Sequence, residues 1–177
     1  MVSTTTTAGA GGTGDTTAEP EVPYPRFMVE QPEAIALEME RILTASPATA
    51  FKAFTDPGEL ARWWGPQGFS IPTLDFQPQA GRSYRIEMEP PDGDSFFLNG
   101  EFREVDPPAR LSFTFVWEPP DPDDVETLVT LLFRDLGGST AVDLTQGPFK
   151  TEERRDLHRG GWTESFEKLE KLVSPAE

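Results

Sequence analysis

The side chains that could carry chemistry in this chain are few. His158 is the only histidine, and there is no cysteine, which excludes a multi-histidine or thiolate metal site. His158 stands one helical turn before Trp162 in the C-terminal segment. It could serve as a general base for a bound enolisable ligand or as a polar contact in a cavity, and the alternative is a histidine on a helix flank. The chain lacks a G-x-S-x-G elbow, a phosphate loop and an H-E-x-x-H motif, so we expect no catalytic set and no cofactor.

Arg41 is the second chemical candidate, because it lies on the apolar face of an alternating segment that begins at Ala34. A charge on an inward face needs a carboxylate or a bound anion. Asp75 and Glu101 fall inside later alternating segments and are the carboxylates considered as its partners. We expect a salt bridge at Arg41, and the gripping of an acidic ligand is the alternative.

Aromatic side chains form the largest group of candidates. Core packing explains most of them, but the same residues would line a pocket if helix and sheet leave one, with a few polar side chains as anchors. The predicted ligand-binding set consists of Arg41, Trp63, Trp64, Phe69, Tyr84, Phe102, Phe113, Phe115, Trp117, Phe133, Gln146, His158, Trp162 and Phe166.

These candidates must be positioned by a strand, two short helices, six further strands and one long helix. Ser46-Pro47 and Asp56-Pro57 each combine an N-cap side chain with a proline at the first helical position, which predicts the two short helices. Alternating segments follow, the first of them over Phe69–Phe76. Apolar residues recur at helical spacing over Glu152–Val173. The order β-α-α-β-β-β-β-β-β-α predicts an α+β domain with an antiparallel sheet around the last helix.

Gly161 interrupts the predicted long helix beside Trp162. Glycine in a helix interior costs roughly 1 kcal/mol relative to alanine. A glycine at this position indicates either a close approach of the helix to the sheet or an opening between them.

Composition bounds the remaining possibilities. Of the 177 residues, positions 1–33 form a low-complexity tail that we expect to be disordered, and 34–174 form one domain. The formal net charge of −16 repels phosphate backbones and anionic lipid, so nucleic acid and membrane surfaces are not expected partners. The lack of cysteines, of a signal peptide and of any apolar run of about 20 residues favours a cytoplasmic protein.

Five segments in chain order resemble a known family: TDPGELARWWGPQGF, QAGRSYRIEM, NGEFREVDPPARLSFTF, VTLLFRDLGGSTAVDLTQ and EERRDLHRGGWTESFEKLEKLV. Over about residues 34–173 the chain is similar to the heat-shock-protein-90 ATPase activator homologues of the START/birch-pollen-allergen-like (SRPBCC) superfamily. The resemblance implies a helix-grip fold, in which a seven-stranded antiparallel sheet curls around the C-terminal helix and often leaves a hydrophobic cavity.

Three functions remain open at this level. The first is binding of a hydrophobic small molecule, of the lipid, polyketide or aromatic acid class, between the sheet and the C-terminal helix. The second is a chaperone-associated interaction through the acidic surface, and the third is a small cyclase or hydrolase. We prefer the first. A homodimer through an edge strand or the tryptophan pair is a further alternative.

Overall fold

A computed structural model describes residues 34–175 of the chain, so the tail predicted for residues 1–33 lies outside the described residues. The strands are β1 (Ile35–Leu43), β2 (Leu74–Asp75), β3 (Ser83–Met88), β4 (Phe96–Asp106), β5 (Arg110–Glu118), β6 (Thr127–Asp135) and β7 (Thr140–Phe149). The helices are α1 (Pro47–Thr55), α2 (Pro57–Trp63) and α3 (Glu152–Val173). The strands form one sheet in the order β1-β7-β6-β5-β4-β3-β2, and each neighbouring pair is antiparallel.

The helix starts follow from local sequence. The side chain of Ser46 accepts a hydrogen bond from the backbone N–H of Thr49 at 3.2 Å, and Pro47 occupies the first turn of α1. Asp56 does the same for Glu59 at 3.0 Å at the start of α2. These caps satisfy backbone donors that a helix leaves unpaired at its N-terminus. The two predicted short helices are therefore confirmed.

The first strand after α2 is much shorter than predicted. The sequence indicated a strand over Phe69–Phe76, but the ladder consists of the two residues of β2 and one isolated bridge between Ser70 and Glu89. Pro72 has no N–H to donate to a ladder, which accounts for the break. The segment still contributes to the fold, because Phe69 and Leu74 pack against the core.

The core lies between the sheet and the helices. Helix α3 contacts β1, β7, α1 and α2, and its buried residues include Trp162, Phe166 and Leu169. Fully buried side chains from the sheet, such as Leu37 on β1 and Phe102 on β4, complete this core. A seven-stranded antiparallel sheet gripping a long C-terminal helix confirms the predicted helix-grip fold.

The side chain of Tyr84 on β3 extends across β4 and contacts β5. Its hydroxyl donates a 2.6 Å hydrogen bond to the carbonyl oxygen of Thr114, and the backbone N–H of Glu101 donates to the Thr114 hydroxyl at 2.8 Å. Gly100 makes room for this contact, because a Cβ there would overlap the Thr114 carbonyl. Burial raises the pKa of Tyr84 well above its usual value of 10.0. The Tyr84 hydroxyl thus links β3 to β5 across β4, and the Thr114 hydroxyl adds a bond between the adjacent strands β4 and β5.

Candidate functional site

A cavity of about 480 Å³ lies beside the N-terminal half of α3. Its walls come from α3, the loop that follows α2, the facing ends of β3 and β4, the end of β5, and the β5–β6 loop. The cavity is open to solvent at one end. Leu157 lines this end, and 64% of the Leu157 surface is exposed. The helix-grip arrangement therefore leaves an open pocket at one end of the filled core.

One face of α3 forms the helical wall. Arg154, His158, Gly161 and Ser165 line the cavity, and their spacing of three or four residues places them on the same side of a helix. A Cβ added at Gly161 would have no atom within 4 Å apart from its own helix backbone. Of the two alternatives for Gly161, the structure therefore shows an opening and not a close approach to the sheet.

The opposite wall is aromatic. Phe69 and Phe96 meet edge to face with ring centroids 6.0 Å apart, and Phe96 meets Trp117 in the same way at 5.3 Å. Phe115 packs against Trp117 at 4.9 Å, and Trp64 closes the inner end against Trp162 at 5.2 Å. Such edge-to-face pairs fix ring orientation, so the rings of this wall are held in place by one another.

His158 is the polar group set into the apolar part of the cavity. Its Nε2 accepts a 3.2 Å hydrogen bond from the indole N–H of Trp117, and the ring packs between Phe115 and Phe149. Burial, and secondarily the charge of Arg154, lower the pKa of His158 to about 4. The imidazole is therefore neutral at pH 7, with its proton on Nδ1. That N–H has no hydrogen-bond partner among the described residues.

The outer end of the cavity is charged. The guanidinium of Arg154, whose side chain is 14% exposed, pairs with Asp121 at 3.0 Å, Asp123 at 2.6 Å and Asp124 at 3.2 Å. Hydrogen bonds from Arg154 lower the pKa of Asp123, and the aspartates raise that of Arg154. One cation thus faces three anions. Within residues 34–175, no group of three or more His, Cys, Asp or Glu side chains could hold a metal ion.

The structure brings together six members of the predicted ligand-binding set and separates the rest. The cavity is lined by Trp64, Phe69, Phe115, Trp117, His158 and Trp162. The aromatic members that instead belong to the filled core are Trp63, Tyr84, Phe102, Phe113, Phe133 and Phe166. Trp63 illustrates the difference, because its indole N–H donates to the carbonyl oxygen of Ala53 at 2.9 Å inside the core.

The two remaining polar members also lie outside the cavity lining. Arg41 is partly exposed and pairs with Glu170 of α3 at 3.9 Å, so the predicted partners Asp75 and Glu101 are wrong. The strand order explains this, since β1 and β2 are opposite edges of the sheet and β4 is four strands away from β1. Gln146 is buried behind the cavity, where its amide oxygen accepts from the Trp162 indole at 2.8 Å.

Several residues of the cavity were not singled out from the sequence. They include Asp121, Asp124, Arg154 and Leu157. The helical spacing from Arg154 through His158 and Gly161 was the one signal that could have placed Arg154 on the same face. Lys168 was missed as well. Its ammonium donates to the carbonyl oxygens of Trp64 and Pro66 at 3.4 and 3.2 Å, which ties the loop after α2 to α3.

Comparison with known proteins assigns the chain to a family. Residues 44–174 match the sequence model of the family described as Activator of Hsp90 ATPase homolog 1-like protein. The chain belongs to that family. The resemblance found in the sequence is thereby confirmed. No curated protein matches the chain.

Solved structures of similar proteins share the fold. A protein from Chromobacterium violaceum is 24% identical, with a TM-score of 0.74 over 80% of this chain and 98% of that one. The AHSA1 protein from Silicibacter pomeroyi is 26% identical, with a TM-score of 0.70 over 78% and 96% of the two chains. A protein from Rhodobacter sphaeroides is 27% identical, with a TM-score of 0.69 over 81% and 95%. Among residues 34–175, no helix is both long and apolar enough to cross a bilayer.

Proposed function

We propose that this protein binds a hydrophobic small molecule in the cavity between the sheet and α3. The observation that carries the proposal is the cavity itself, about 480 Å³ with aromatic walls. Ligand pockets are typically about 300–1,000 Å³, mostly apolar, with a few polar groups that fix orientation. His158 supplies one such group, because its Nδ1–H is free of partners among the described residues.

The driving force would be burial of apolar ligand surface. A ligand that buries about 200 Å² of apolar surface away from water gains roughly 5 kcal/mol of binding free energy before association costs. The rigid aromatic wall lowers the ordering cost, since the ring pairs that form it are already in contact. Ligands of the lipid, polyketide and aromatic classes can all supply this area.

The geometry of His158 favours binding over acid–base catalysis. A general base needs a free lone pair within reach of the proton it removes. The Nε2 lone pair of His158 accepts from the Trp117 indole, and Nδ1 carries the proton. In this arrangement His158 can donate a hydrogen bond to a ligand but cannot accept a proton from it.

A chaperone-associated role is the second candidate. Its support is the family match together with the formal net charge of −16, which suits a partner with a basic surface. Association through such a surface would weaken steeply with salt. Titration against a purified chaperone of the 90-kDa heat-shock class at low and high salt tests this candidate. Salt-insensitive binding, or none, would remove it.

The binding proposal is tested by native mass spectrometry of freshly purified protein, followed by denaturation and extraction. The variant Gly161→Leu places a side chain in the cavity, whereas Gly160→Leu makes the same change at an exposed helical position with equal space. We expect a stoichiometric extra mass on the wild type and on Gly160→Leu, and none on Gly161→Leu. An adduct that persists in Gly161→Leu would overturn the proposal. So would the absence of any adduct together with no thermal shift by apolar ligands.

A further inference from the structure

We propose that the cavity selects ligands that carry an organic ammonium group over carboxylates of the same size and shape. This inference rests on the proposed function and adds the charge of the ligand to it. It is carried by two observations: the excess negative charge at the outer end of the cavity, and the aromatic faces next to that end.

The charge at the outer end is not balanced. Asp121, Asp124 and Arg154 line the cavity, and Asp123 holds the same guanidinium through both Nε and a terminal nitrogen. Nε and one terminal nitrogen of Arg154, Nη2, are therefore engaged by aspartates. Asp124 is also nearly buried, with 7% of its side chain exposed, so its charge is poorly screened by solvent.

The surroundings of this end do not reverse the imbalance. Residues 119–126 and 150–156 carry seven carboxylates and three basic side chains, a net charge of −4. One of the basic side chains, Lys150, donates to the Pro122 carbonyl in the same loop at 3.1 Å. The N-terminus of α3 adds about half a positive charge. The field at the cavity mouth remains negative and attracts cations.

The aromatic wall suits the same kind of ligand. Ring faces attract ammonium groups, and tryptophan is the strongest of the aromatic residues in this respect. Phe96 and Trp117 line the cavity in mutual edge-to-face contact. The β5–β6 loop that holds Asp121 and Asp124 begins after Glu118, the residue next to Trp117. An ammonium group at this end would therefore be close to both carboxylates and indole.

The competing ligand is a carboxylate. It could accept a hydrogen bond from the Nδ1–H of His158, and Arg154 would be its cation. The aspartates around Arg154 argue against this, because an anion that approached the guanidinium would sit near three carboxylates already paired with it. Like charges at such separations weaken binding, whereas opposite charges strengthen it.

Three probes share one carbon skeleton and differ in charge, so they distinguish the effect of ligand charge from apolar binding. They are 4-phenylbutylamine, 4-phenylbutanol and 4-phenylbutanoate. Tryptophan fluorescence and calorimetry at pH 7.5 report binding to the full chain, since three of the four tryptophans line the cavity. We expect the amine to bind at least about tenfold more tightly than the carboxylate, with the alcohol in between. Gly161→Leu should abolish amine binding and Gly160→Leu should preserve it, which distinguishes the cavity from the acidic surface.

The double variant Asp121→Asn/Asp124→Asn tests the source of the selectivity. We expect the amine-to-carboxylate ratio to fall to within about threefold of unity. Glu38→Gln/Glu40→Gln, on exposed positions of β1, makes the same change in net charge and should leave the ratio unchanged. If the alcohol binds but the carboxylate binds as tightly as the amine, the charge inference is overturned and the binding proposal stands. If none of the three probes binds, both are overturned.

Discussion

The variant Tyr84→Phe removes one hydroxyl from the interior of the sheet. In the wild type this hydroxyl is the donor to the Thr114 carbonyl oxygen at 2.6 Å, and Tyr84 is 3% exposed. Phenylalanine fits the same space but leaves the carbonyl without that donor. An unsatisfied buried acceptor costs about 1–3 kcal/mol. For a domain of this size, each kcal/mol corresponds to about 2–4 °C in Tm.

Urea denaturation, monitored by tryptophan fluorescence and far-UV circular dichroism, measures the loss directly. Thr114→Val provides a second test, because it removes the acceptor of the Glu101 N–H, whereas Thr114→Ser keeps that acceptor. We expect Tyr84→Phe and Thr114→Val each to lower the free energy of unfolding by about 1–3 kcal/mol, and Thr114→Ser to lower it less. A free energy within about 0.5 kcal/mol of wild type for Tyr84→Phe would refute the view that the hydroxyl completes the sheet.

Three further predictions concern the polar residues. The pKa of His158 is lowered to about 4 from about 6.5 in the unfolded chain, so its contribution to the free energy of unfolding is present above pH 6.5 and is lost as the pH falls toward 4. Denaturation across this range should show up to roughly 3 kcal/mol more loss of stability for wild type than for His158→Phe. Equal dependence of stability on pH in the two proteins would contradict this. Arg41→Gln should change the free energy of unfolding by less than about 0.5 kcal/mol, because its ion pair with Glu170 is partly exposed. A loss above about 2 kcal/mol in thermal denaturation would contradict a purely surface role for this ion pair. Gln146→Leu should cost about 1–3 kcal/mol by urea titration, since it strands the buried Trp162 indole N–H, and a neutral effect would show that this N–H finds another acceptor.

The fold was predictable because its signals are local. N-cap side chains followed by proline define α1 and α2, and helical spacing defines α3 with the predicted bounds Glu152–Val173. The Phe69–Phe76 strand failed for a local reason as well, the missing N–H of Pro72. Alternation of apolar residues showed which face of the segment turns inward but not whether its backbone would pair.

The site was less predictable because it depends on which distant residues meet. Trp63 and Trp64 are adjacent and identical in type, yet one donates to a core carbonyl and the other lines the cavity. The position of Arg41 on the apolar face of an alternating segment indicated a salt bridge, but its partner depends on the order of strands in the sheet. The acidic end of the cavity comes from a loop whose sequence has no periodicity, so only the structure places Asp121 and Asp124 beside α3.

The most direct test of the binding account uses the indole N–H signals of the four tryptophans in ¹H–¹⁵N spectra during titration with 4-phenylbutanol. Trp64, Trp117 and Trp162 line the cavity, whereas the Trp63 indole is bonded to Ala53 inside the core and serves as an internal control. Binding in the cavity should shift these three indole signals with one common saturation curve and move the Trp63 signal least. No shift at saturating probe, or a Trp63 shift as large as the others, would contradict it.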